Sequence, residues 1–180
     1  MFTVVIMTLT LLAILSIAGP GGVAWSPWVP SKGKDMDRIL SHLQLKNGQH
    51  FVDFGAGDGK ILTALFKKNQ AEAAGGTVRL SGVEISPITY LIGRARLLMA
   101  GISGKVNYRL SSFLKYPLNT TDVVYCFLTP SAMARLKPWL EERMKPGSRH
   151  VSYVFPVPGW VPETIDRPSE NDLPIYIYNR

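Results

Sequence analysis

Residues 51–61 read FVDFGAGDGKI. A short apolar run ends at Phe54, three glycines follow at alternate positions, and a helical period begins as the loop closes. Gly55, Gly57 and Gly59 let the backbone turn sharply and let a ligand approach where side chains would collide. A strand, a glycine loop and a helix in that order place a nucleotide-like ligand at the carboxyl end of a strand, near the switch point of an open α/β sheet.

The spacing narrows the ligand. The dinucleotide fingerprint is G-x-G-x-x-G, whereas this loop is G-x-G-x-G, with Lys60 where the third glycine would stand. It also lacks the lysine and hydroxyl pair of a phosphate loop, so a pyrophosphate or triphosphate is disfavoured. Asp53, two residues before the first glycine, and Asp58 inside the loop put negative charge where a phosphate would sit. S-adenosylmethionine brings a sulfonium and an ammonium instead, and charge complementarity selects it. Glu84 closes the next apolar run in LSGVEISP, the position from which a carboxylate can accept hydrogen bonds from both ribose hydroxyls.

Working outward, strands and helices alternate. Helical spacing of Met36, Ile39, Leu40 and Leu43 predicts a helix over 34–45. Strands are expected over 50–54, 78–84, 105–110, 122–128 and 148–155, and helices over 59–69, 87–100 and 131–144. Strands separated by helices imply a largely parallel sheet covered on both faces. The tail GWVPETIDRPSENDLPIYIYNR has no helical period, and its two extended pieces, 159–166 and 174–178, read as a terminal hairpin.

The chain's 180 residues suit one domain and are too few for two ordinary ones. Its excess apolar content is localised in FTVVIMTLTLLAILSIA, residues 2–18, which carries no charge and predicts a transmembrane helix extended toward Trp25. The division expected is therefore a membrane anchor over 1–24 and one ligand-binding domain over 25–180. A cleaved signal peptide would have cations before Phe2, and a helix buried in the domain would show a polar face; neither feature is present. The first cations, Lys32, Lys34 and Arg38, follow the segment, which keeps the domain on the cytoplasmic or mitochondrial matrix side, and Trp25 and Trp28 fit an interfacial belt. The net charge of +7 would also favour anionic lipid on a tethered domain. No arginine-rich run interleaved with aromatics stands out, so nucleic-acid binding is not expected.

Cys126 lies in the apolar run DVVYCFL and reads as a core residue in a reducing compartment. His42, His50 and His150 are scattered without metal spacing, so no metal is expected. No Ser-His-Asp or Cys-His set can be composed, which argues against a hydrolase.

VDFGAGDGKI and GVEISP resemble the first two motifs of the seven-strand, class I S-adenosylmethionine-dependent methyltransferases, whose sheet ends in an antiparallel hairpin. An N-terminal apolar segment, then WVPS, then FLTPSAMARLKPWLEERMKPGSRHVSYVFPVPGW is similar to the membrane-anchored ATP synthase c-subunit lysine methyltransferases and their small archaeal protein-lysine methyltransferase relatives. The resemblance implies a Rossmann-like fold and cofactor contacts from Asp53, Gly55, Ala56, Gly57, Asp58, Glu84 and Ile85. Trp28, Val29 and Pro30 match a short element that covers the cofactor. Where the family has an Asp or Asn for the adenine amine, this chain has LSSFL, leaving Ser112 and Phe113 at that place.

Methyl transfer from a sulfonium is an in-line displacement, so the protein's main task is to hold a neutral amine close to the methyl carbon in a dry pocket. A substrate lysine, with a reference pKa of about 10.4, must first lose a proton. An apolar pocket and a neighbouring cation both favour that loss. Leu128, Thr129 and Pro130, after the fourth strand, are expected at the acceptor site, with the Leu128 and Thr129 carbonyls or the Thr129 hydroxyl orienting the amine. Tyr153 and Trp160 either line the entrance or pack against the sheet. The expected activity is that of a membrane-anchored protein-lysine N-methyltransferase. A lipid-headgroup or small-amine N-methyltransferase and a non-catalytic cofactor-binding module remain alternatives.

Overall fold

The computed structural model describes Val29, residues 31–72 and residues 77–180. Seven strands form one sheet: β1 (His50–Phe54), β2 (Arg79–Glu84), β3 (Val106–Leu110), β4 (Val123–Cys126), β5 (Arg149–Tyr153), β6 (Thr164–Asp166) and β7 (Ile175–Asn179). The helices are α1 (Met36–His42), α2 (Lys60–Glu72), α3 (Pro87–Met99) and α4 (Pro130–Arg143), with 3-10 turns at Gly33–Asp35 and Phe113–Lys115.

The strand order is β3-β2-β1-β4-β5-β7-β6. The first five pair in parallel, and β7 runs antiparallel to both β5 and β6. The expected terminal hairpin is therefore present, inserted so that β7 rather than β6 meets the sheet. The switch point falls at β1, between β2 and β4, and brings the glycine loop to the centre of the sheet's carboxyl edge. In register, Asp53 stands between Gly82 of β2 and Tyr125 of β4.

Alternation along β1 explains the two-sided core. Phe51 packs with Leu62, Leu65, Leu97 and Val151 on one face, while Val52 and Phe54 pack with Val124, Met133, Leu136 and Leu140 on the other. β4 stops at Cys126, two residues before the expected end. Beyond it Thr129 caps α4 by accepting from Ala132 N, and Pro130, which has no N–H to lose, opens the helix.

Charged residues from the two ends of the domain meet. Arg38 of α1 reaches Asp35 at 3.0 Å and Asp166 of β6 at 2.9 Å, and Tyr153 of β5 donates to Asp35 at 2.6 Å. His42 shares Asp166 at 2.6 Å. This network ties the segment after Val29 to the far edge of the sheet. It also decides between the two readings of Tyr153, which is fully buried, edge-on to Phe127, and packs as a latch inside the sheet, not at an entrance. Trp160 packs against Tyr178 and donates to Glu141.

The transmembrane helix expected over 1–24 lies outside the described residues, as do Trp28 and Pro30. Among the described residues no helix is long and apolar enough to cross a membrane.

Candidate active site

The loop after β1 is held from three sides. Gly55 N and Ala56 N both donate to Val83 O, at 2.9 and 3.1 Å, which carries the parallel ladder past the strand's end. Gly57 N donates to Glu84 Oε2 at 2.9 Å, and the Tyr108 hydroxyl donates to Gly57 O. Gly55, Gly57 and Gly59 have φ of 76°, 57° and 72°, the left-handed region in which glycine carries no penalty. Gly55 alone of the loop is exposed, while Ala56, Gly57, Asp58 and Gly59 are buried beneath it.

Three acids meet at this edge, and their partners differ. Asp58 pairs with Arg96 of α3 at 2.6 Å and accepts from Lys60 N at 3.2 Å, so its charge is met by a guanidinium and by the first turn of α2. Each Asp58 oxygen thus has one partner within the protein, and the carboxylate keeps about two lone-pair sites for a ligand. Glu84 accepts from Gly57 N, Ile85 N and Ser86 N, each at 2.8 or 2.9 Å. A carboxylate has about four lone-pair sites, so one remains. Glu84 can take one further donor, not the two ribose hydroxyls expected of it. Burial raises its pKa against these three backbone bonds, which lower it.

Asp53 is different. It is 2% exposed, and no hydrogen-bond donor reaches its carboxylate among the described residues. Burial first, then the charges of Glu84 and Asp58, push its pKa well above the ordinary carboxylate range. A buried, unpartnered acid beside two others is costly unless a cation joins it. The residues present therefore fit S-adenosylmethionine, whose ammonium or sulfonium would supply the missing charge. They do not fit a pyrophosphate, which would add to it.

Around this centre the remaining expected residues separate into two groups. Leu128 is buried against the loop, and a Cβ at Gly55 would lie 3.0 Å from its Cδ2, so the turn after β4 adjoins the glycine loop as expected. The Thr129 oxygens already have partners: its hydroxyl accepts from Ala132 N and its carbonyl accepts from Met133 N at 2.9 Å, which leaves each a second lone pair. Pro130 is exposed at the start of α4, and among the described residues no donor outside regular secondary structure is bonded to the Leu128 carbonyl. Ser112 caps the turn at Phe113–Lys115 by accepting from Leu114 N at 3.3 Å, while Phe113 is buried against Phe54. Ile85 is half-buried beside Glu84, and Val29 is exposed.

Two features escaped the sequence reading. Tyr108 lies in a slot between Gly82 and Gly93, where an added Cβ would come within 2.9 Å and 2.5 Å of its ring or hydroxyl, and it stacks on Tyr90 at 4.9 Å. Glycines in the middle of a strand and of a helix were the available signal for such a close approach. Ser31 is the second feature: its carbonyl accepts from Lys60 Nζ at 2.8 Å, and its hydroxyl meets the Tyr125 hydroxyl at 3.4 Å. Lys60, the residue that breaks the dinucleotide fingerprint, thus ties Ser31 to the start of α2.

Glu84→Ala is expected to weaken cofactor binding by about 1–3 kcal/mol and to lower the melting temperature as well, because buried N–H groups lose their acceptor. Calorimetry and thermal melts separate the two effects. A lowered melting temperature with unchanged affinity would assign Glu84 to the loop alone.

Comparison with known proteins follows the same lines. A family model described as the ANTKMT methyltransferase domain matches residues 53–164. A protein-lysine N-methyltransferase of Saccharolobus islandicus is 28% identical, covering 84% of this chain and 92% of its own length. The human lysine N-methyltransferase named for the c-subunit of ATP synthase is 27% identical over 87% of this chain and 65% of its own. The mouse adenine nucleotide translocase lysine N-methyltransferase is 33% identical over 77% of this chain and 57% of its own. Among solved structures, an RNA methyltransferase of Salinibacter ruber with bound S-adenosyl-L-homocysteine superposes with a TM-score of 0.70 at 26% identity, covering 84% of this chain and 93% of that one.

Proposed function

This chain belongs to the family of ANTKMT methyltransferase domains, and on that premise we propose that it methylates the side-chain amine of a lysine in a protein. It is an S-adenosylmethionine-dependent methyltransferase. The buried carboxylate of Asp53, without a donor among the described residues, carries the reading of the site, because a cationic ligand relieves its charge and an anionic one would add to it. Similarity to relatives named for lysine methylation supports the choice of acceptor.

When bound, S-adenosylmethionine supplies an electrophilic methyl carbon on a positively charged sulfur. The protein's own contribution is positional. Asp53 takes the cationic end, Gly57 and Glu84 hold the loop, and Ser31 and Lys60 fasten the cover. Leu128, beside Gly55, offers an apolar surface on which the acceptor loses water, and that loss favours the neutral amine. The Leu128 carbonyl accepts a hydrogen from that amine and orients its lone pair. The substrate ammonium gives its proton to bulk water as it enters, before the pocket closes on it, because desolvation and the neighbouring cation both lower its pKa.

We place the apolar residues 2–18 in a membrane as a single anchor, with residues 25–180 on the cytoplasmic or mitochondrial matrix side and a membrane protein as the natural substrate. Alkaline carbonate extraction tests this: an anchored chain stays with the pellet, and release into the supernatant overturns it.

Incubation of membrane fractions with the protein and labelled methyl donor, followed by acid hydrolysis, is expected to yield methyl-lysine. Label in an extracted lipid amine would favour a headgroup methyltransferase instead. Cofactor binding without transfer to any fraction would leave a binding module.

A further inference from the structure

α3 presents its apolar residues on the wrong side for a core helix. Thr89, Gly93 and Leu97 are buried against the sheet, as the fold requires. Leu91, Ile92, Ala95, Leu98 and Met99 face outward, with Leu91 65%, Leu98 68% and Met99 82% exposed. These positions, i, i+1, i+4, i+7 and i+8, form one continuous stripe along the helix. A single exposed leucine needs no explanation, but a contiguous apolar face marks an interaction surface. Leu110, exposed at the end of the edge strand β3, extends the apolar character of this side of the sheet.

The charge of the same region is one-sided. Between Glu84 and Asp122 the chain holds no aspartate or glutamate, yet it carries Arg94, Arg96, Lys105, Arg109 and Lys115. Of these five cations only Arg96 is ion-paired among the described residues, to Asp58. The other four are exposed. Exposed aliphatics interspersed with uncompensated cations are complementary to a surface that is apolar beneath and anionic above. A nucleic-acid strand would call for aromatic platforms, and Tyr90, the aromatic residue of α3, is already stacked on Tyr108.

We propose that the outer face of α3, with the basic edge formed by β3 and the turn at Phe113–Lys115, docks onto an anionic lipid bilayer. The stripe begins one turn after Ser86, whose N–H is bound to Glu84, so docking sets the mouth of the crevice beside the membrane surface. The inference stands on the exposed stripe and its charge, not on the lysine reading. It is also separate from any anchor in residues 2–18, which would tether the chain without fixing its orientation.

The test uses the full chain with Leu98→Cys or Leu91→Cys carrying a nitroxide; Cys126 is buried, so the introduced thiol is the one that reacts. The spin label's accessibility to oxygen and to a nickel chelate is measured without vesicles, with phosphatidylcholine vesicles, and with vesicles containing phosphatidylglycerol. On the anionic vesicles both labels are expected to gain oxygen and lose nickel accessibility several-fold, while a control label at Glu142→Cys on α4 stays aqueous. Labels that remain aqueous on vesicle-bound protein would overturn the proposal. So would labels already shielded without lipid, meaning that residues 2–18 or a second copy cover the stripe, and so would shielding by single-stranded RNA but not by lipid. The label reports lipid contact and not turnover, so its failure leaves the lysine assignment standing, and loss of methylation leaves the docking face standing.

Discussion

Replacing Asp53 with asparagine is expected to weaken S-adenosylmethionine binding roughly a hundredfold or more, a loss of about 3 kcal/mol, while making the free protein more stable. Both halves follow from one buried carboxylate. Asp53 has no donor among the described residues and two acidic neighbours, so its charge burdens the empty fold and is offset only when a cation arrives. Removing it should raise free-protein stability by on the order of 1 kcal/mol, or roughly 2–4 °C in melting temperature. A carboxylate whose folded-state pKa is raised stabilises the fold fully below its unfolded value of about 3.9 and loses that contribution as pH rises through the folded value. The contribution of Asp53 to wild-type stability should therefore decline with rising pH above about 4, so the stability advantage of Asp53→Asn should widen as pH rises. Melting curves across pH check the stability half and calorimetry checks the binding half; a variant that binds normally would remove the acid from the site.

Gly55→Val is expected to abolish detectable cofactor binding. At φ 76° a β-branched residue is strained by about 1–3 kcal/mol, and its Cβ would stand 3.0 Å from Leu128. The added methyls then project from the exposed crest of the loop, where the ligand must pass. Gly55→Ala separates the causes: it shares the backbone strain, so its melting temperature should also fall, but it projects less and should retain partial binding. A soluble valine variant with wild-type affinity would mean that the ligand approaches elsewhere.

Much of the scaffold was legible because its signals are local. Alternating elements, the acid-bounded strands ending at Phe54 and Glu84, and the helix-free tail each announce themselves within ten or so residues. The site was legible in outline for the same reason, since Asp53, the glycines and Leu128 lie at strand ends fixed by topology. What could not be read is the partnership of each polar group. Asp58 and Arg96 are 38 residues apart, and Asp35 and Tyr153 are 118 apart. Nothing in either neighbourhood names the other. Glu84 resembles a free ligand-binding acid by position, and only the backbone path places Gly57, Ile85 and Ser86 N–H groups on it. Thr129 shows the same limit: its side chain reads as a polar group beside the acceptor, but the proline that follows makes it a helix cap.

The account rests on a crevice whose unmet negative charge selects a cationic methyl donor. Calorimetric titration of S-adenosylmethionine into the wild-type protein and into Asp53→Asn, across a series of pH values, tests this most directly. The expected result is wild-type binding that tightens as rising pH removes the Asp53 proton, with no such gain in Asp53→Asn. Equal affinity of the two proteins at every pH, or displacement of the donor by a dinucleotide, would contradict it.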